Sequence, residues 1–153
     1  MGRKYAAVFE EVAVTVAQDL FEVVAPADGA VVIHSVTITQ SSDAGDAEAE
    51  MLPILIHRGT ATGSGGTTVT PSPLAVGDAA FGGTVEANNT TQSVEGTFLH
   101  AEAFNIQIGF YYLPPPEDRP ILSPSGLFIV ELQAAPSDSL TMNGTIVFEE
   151  IGG

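Results

Sequence analysis

Hydrophobic and polar positions alternate along most of this chain, the period-2 signature of strands with one buried face. From Phe98 the even positions read Phe98, His100, Glu102, Phe104, Ile106, Ile108, Phe110 and Tyr112. The odd positions read Leu99, Ala101, Ala103, Asn105, Gln107, Gly109 and Tyr111. This predicts one long strand, or two broken by a bulge near Gly109, with the bulky face inward. Near the C-terminus Leu140, Met142, Gly144, Ile146 and Phe148 alternate with Thr141, Asn143, Thr145, Val147 and Glu149. Near the start Val8, Val12, Val14 and Val16 are expected to share one face. The runs 20–24, 31–40, 52–57 and 127–132 add β-branched and aromatic residues suited to a pleated surface. No segment carries a helical period.

Turn signals separate these runs. Pro26-Ala27-Asp28-Gly29 supplies a proline with fixed φ and a glycine free to take φ > 0. Residues 41–48 form a polar connection, and Pro114-Pro115-Pro116 is an extended element that ends a strand. The longest irregular stretch is 59–83, rich in Gly, Thr and Pro, with Gly63-Ser64-Gly65-Gly66 and Pro71-Ser72-Pro73 inside it. A loop this long is expected to be functional or to order against a neighbour. Roughly seven to nine short strands with this punctuation predict an all-β, antiparallel β-sandwich, jelly-roll-like, as a single domain over 1–153.

Charge changes the picture. Nineteen Asp and Glu stand against four Lys and Arg, a net charge of −15. Such a surface repels phosphate backbones and anionic lipid, so neither nucleic acid nor a membrane is an expected partner. Charged residues are nevertheless only 15% of the chain, below the roughly 25% of a typical domain, and hydrophobic residues reach 44%. Apolar surface left over by a monomer is therefore expected to form an interface. Phe104, Ile106, Phe110, Tyr111 and Tyr112, with Thr67 and Val69 of the long loop, are the interface candidates. There is no cysteine, hence no disulfide or thiolate site. The apolar run after Arg3 and Lys4 stops at Glu10, too short for a secretory signal, so synthesis in a cytoplasm is expected.

Catalytic chemistry finds little to stand on. His34, His57 and His100 lack metal-site spacing, although strands could bring them together. Asp43, Asp46 and Glu48 offer hard oxygen ligands of the kind calcium takes, but not in its loop register; they read as a solvated loop. Glu10-Glu11 and Glu149-Glu150 would come together only if the terminal strands paired, and nothing suggests the cleft a glycosidase needs. Gly-x-Ser-x-Gly and P-loop motifs are absent, and Arg58 and Arg119 are expected to neutralise nearby carboxylates. The expectation is a non-enzyme with no catalytic residue, no metal and no cofactor.

The segment Asp19-Leu20-Phe21-Glu22-Val23-Val24-Ala25-Pro26-Ala27-Asp28-Gly29, running into Val31-Val32-Ile33-His34-Ser35-Val36, resembles small virion proteins of tailed bacteriophages. So do Ile56-His57-Arg58-Gly59-Thr60, Leu113-Pro114-Pro115-Pro116-Glu117-Asp118-Arg119-Pro120 and the closing 140–150. The resemblance implies a virion structural protein, most simply a capsid decoration (cement) protein on the outside of the head. Its partner would be the major capsid protein or another virion protein, and its form a small closed homo-oligomer, a trimer by preference. A tail or fibre component fits the resemblance equally. The alternative function is a carbohydrate-binding jelly-roll module, using Tyr111, Tyr112 and a calcium near Asp43 and Asp46.

Overall fold

Two long ladders of alternating residues set the frame. The computed structural model describes residues 2–42 and 50–152. Asp43, Asp46 and Glu48 lie outside the described residues. The strands are β1 (Arg3–Val14), β2 (Gln18–Val24), β3 (Ala30–Gln40), β4 (Met51–Arg58), β5 (Thr67–Val69) and β6 (Ser72–Pro73). There follow β7 (Thr84–Asn89), β8 (Thr97–Asn105), β9 (Phe110–Tyr112), β10 (Ile121–Leu122), β11 (Leu127–Leu132) and β12 (Leu140–Ile151).

They form two antiparallel sheets packed face to face. Sheet A runs β10-β3-β12-β1-β6, with β9 also on β3; sheet B runs β5-β7-β2-β11-β4-β8. Take β1, β2, β3, β4, β8, β9, β11 and β12 as strands one to eight. Sheet A then reads 6-3-8-1 and sheet B reads 2-7-4-5. That order is a jelly roll, the double-sheet solution that interleaves early and late strands. β5 and β7, inserted between β4 and β8, widen sheet B beyond β2.

The C-terminal alternation appears directly in the burial. Leu140, Met142, Ile146 and Phe148 are buried, and their odd-numbered neighbours are half-exposed. With Tyr5, Phe9, Phe21, Ile33, Ile38, Phe110 and Phe128 they form the core between the sheets. Tyr5, Phe81 and Phe148 cluster at one end of it at centroid separations of 4.8 to 5.8 Å, Tyr5 stacked on Phe148 and Phe81 edge-on to Phe148.

Three expectations are corrected. The valines of β1 do not share a face: a bulge between Phe9 and Val12, with Glu11 at φ 51°, adds one residue and flips the parity. Tyr5, Ala7 and Phe9 therefore point inward before it and Val14 after it, leaving Val8 half-exposed. The stretch 98–112 is two strands in different sheets, β8 on β4 and β9 on β3. Gly109, at φ +91°, turns the chain between them, its N–H and that of Ile108 both donating to the Asn105 carbonyl. β8 is an edge strand, so Phe98 faces solvent and only Phe104 is fully inside. Finally, much of 59–83 orders against its own sandwich. β5 pairs with β7, β6 pairs with β1, and Phe81 packs on Tyr5 and Phe148.

Candidate functional site

The interface candidates separate into buried and accessible groups. Phe104, Ile106 and Phe110, expected at an interface, lie in the core instead, none more than 5% exposed. A side chain that already fills the space between two sheets has no surface left to offer. Tyr111 is 53% exposed, and Tyr112 is half-buried with its ring 5.0 Å from that of His100. Both line an open groove of about 380 Å³ between β8 and the segment following β9, with Leu113, Glu102 and Asp118. Burial and the Asp118 carboxylate push the Tyr112 hydroxyl pKa up. Thr67 and Val69 line a second cleft, of about 510 Å³, against Val8 and Val12 of β1.

The outer face of sheet A is broad and uncharged at its centre. Register places Val8, Thr145, Thr37 and Tyr111 in one row across β1, β12, β3 and β9. The next row is Ala6, Val147 and Ser35, and beyond the first lie Asn143 and Thr39. Charge returns only at the ends. Lys4, Glu149 and His34 mark one end, Glu10 and Glu11 the other. The two acidic pairs therefore stand at opposite ends of the β1–β12 ladder, and Arg3 opposes Glu150 at 3.1 Å.

The outer face of sheet B is the opposite case: it is charged, and it is covered. One cross-strand row reads Glu86, Glu22, Ile129, His57 and Phe98. The adjacent row reads Asn89, Asp19, Glu131, Leu55 and Ala101. Like charges thus sit directly opposite each other twice, an arrangement that normally destabilises a sheet. Over it lies a ribbon made of 59–66 and 90–96, closed by Thr60–Val94, Val94–Ala61 and reciprocal Ser64–Thr91 backbone bonds of 2.9 to 3.0 Å.

Carboxylates hold the ribbon down. Gly63 N–H donates to Glu22 Oε1 at 2.8 Å, Ser93 N–H to Asp19 Oδ2 at 2.6 Å, and Gln92 Nε2 to Glu131 Oε1 at 2.9 Å. Asp19, Glu22, Glu131 and His57 end at most 5% exposed. Burial is the main cause that raises all three carboxyl pKa values, and it takes Glu22 to about 7. The sequence did not single out Asp19, Glu22 or Glu131. The available signal was an acid on each of two otherwise apolar strand runs, with no cation nearby in the chain.

Each histidine stands against a carboxylate: His34 against Glu149, His57 against Glu131 and His100 against Glu102, at 3.0 to 3.1 Å. The three histidines are not brought together, and among the described residues no three His, Asp or Glu side chains converge as metal ligands. Arg58 donates to the Ile121 carbonyl rather than to a carboxylate. No protein-family profile, curated protein or solved structure matches this chain.

Proposed function

We propose that this chain is a non-enzymatic virion structural protein, a decoration protein that docks on the outside of a phage head through the outer face of sheet A. The observation that carries the reading is the neutral centre of that face on a chain of net charge −15. A protein so acidic meets like charge wherever it approaches another acidic surface. Rows of Thr, Val, Ser, Ala and Tyr give flat contact with little desolvation of charge, and the half-exposed Val8 and Tyr111 supply apolar area. The resemblance to tailed-phage virion proteins read in the sequence implies the same role. In this reading the chain works as a small closed oligomer, a trimer, with Thr67 and Val69 at the accessible edge of β5 in lateral contacts.

Co-sedimentation with purified phage heads tests it. The wild type is expected to pellet with heads to a saturating stoichiometry, and Val8→Glu with Thr145→Glu to remain in the supernatant while staying folded. A wild type that stays in the supernatant at micromolar concentration sinks the proposal.

A second reading has its own observation. The groove that places Tyr111 and Tyr112 beside His100, Glu102 and Asp118 pairs aromatic faces with hydrogen-bond acceptors, the chemistry that takes a sugar ring. This is the carbohydrate-binding module of a tail or fibre. A glycan array with and without chelator decides it, and silence in both conditions removes it.

A further inference from the structure

We propose that the ribbon 59–66/90–96 is a proton-controlled latch, closed over sheet B while Asp19 and Glu22 share one proton and released when both carboxyls ionise. The geometry begins with two orphaned atoms. Asp19 Oδ1 and Glu22 Oε2 are wholly buried and have no hydrogen-bond partner. Their two carboxyls lie within hydrogen-bonding reach of each other. As carboxylates both are acceptors only, so their mutual contact is repulsive; the Ser93 hydroxyl beside Asp19 and the Asn89 amide beside Glu22 offset part of that repulsion, and burial outweighs them. One proton between the two carboxyls turns their contact into a hydrogen bond, and the other two oxygens remain free to accept from Ser93 and Gly63 of the ribbon.

Among the described residues no Lys or Arg is paired with either carboxyl. Glu86 faces the pair from β7, Glu131 and His57 from β11 and β4, and Glu95 of the ribbon adds negative charge beside Glu131. Of the chain's four Lys and Arg, Arg3 is on Glu150, Lys4 is on β1 of the other sheet, Arg58 reaches Ile121, and Arg119 follows the 3-10 turn. Loss of the shared proton therefore places two adjacent buried negative charges under a ribbon that they themselves anchor. Opening lets water reach both. It also bares Leu55 and Ile129, extending the exposed apolar surface that starts at Phe98. The latch turns a change from acid to neutral pH into a new sticky strip on sheet B.

Amide hydrogen exchange on the full-length protein tests this, whatever the protein docks on. Between pH 5 and 8, protection at Gly63, Thr91, Ser93 and Val94, corrected for intrinsic rates, is expected to fall about a hundredfold. Amides of Val130 and Ile146 in the core should stay better protected than the ribbon throughout. Glu22→Gln, whose amide donates to Asp19 as the shared proton does, should cut the pH dependence of the ribbon to the smaller part left by Asp19 and Glu131. Ribbon protection that does not change with pH overturns the proposal. So does ribbon protection equal to that of the core at every pH, which would mean opening by global unfolding alone.

Discussion

Replacing Glu22 with Gln is expected to make the protein more stable at pH 8 and to leave it nearly unchanged at pH 5. The ordinary carboxyl value is 4.5, and burial raises that of Glu22 to about 7 in the folded protein. An acid with a raised folded pKa holds its proton more tightly folded than unfolded. Stability is therefore fully present below about 4.5 and falls as pH rises toward 7. One pKa unit corresponds to about 1.4 kcal/mol, so the wild type should lose about 2–3 kcal/mol from this group between pH 5 and 8. Asp19 and Glu131, raised by burial as well, act in the same direction. Self-repulsion of the net charge also favours low pH, but it is common to both proteins and cancels in their difference. Urea unfolding at the two pH values reads the effect. With a slope of roughly 2 kcal/mol per molar, the wild-type midpoint should drop by more than about 1 M from pH 5 to pH 8, and that of Glu22→Gln by much less. If the two midpoints differ by the same amount at both pH values, Glu22 does not change protonation in this window and the reasoning fails.

Further outcomes follow from close approaches and packing. Gly63→Ala would drive a Cβ into the Thr91 carbonyl and to 2.6 Å from Glu22 Oε1, so the ribbon should detach. Hydrogen exchange at Ser64 and Thr91 should rise while core amides keep their protection; unchanged ribbon amides would contradict the close seating of the ribbon on Glu22. Gly144→Ala would drive a Cβ into the Phe9 ring and to 2.9 Å from Phe21, an overpacking that should cost about 1–3 kcal/mol in chemical denaturation. A neutral result would mean those two rings are less tightly held. Phe148→Ala, deleting a wholly buried ring stacked on Tyr5 and met edge-on by Phe81, should cost about 3–5 kcal/mol. A loss below about 1 kcal/mol would place the ring outside the core.

The sequence by itself determined the fold class. Strict alternation in β12 survives folding because one face of that strand meets sheet B and the other meets solvent, and side-chain direction has the same period as the pattern. The run 127–132 is buried throughout, Glu131 included, because the ribbon covers what would otherwise be a wet face. Tertiary structure decided the rest. A single bulge at Glu11 reversed the faces of β1, and nothing in Val8, Val12 and Val14 announces one extra residue. The turn at Gly109 sent Phe104 and Phe110 into opposite sheets of one core, so rings that looked available for a partner were consumed internally. The neutral face of sheet A and the acidic patch of sheet B depend on register between strands distant in the chain. Glu22, Glu86 and Glu131 are unremarkable singly. They form a site only because antiparallel pairing puts like charges opposite each other and a ribbon shuts water out.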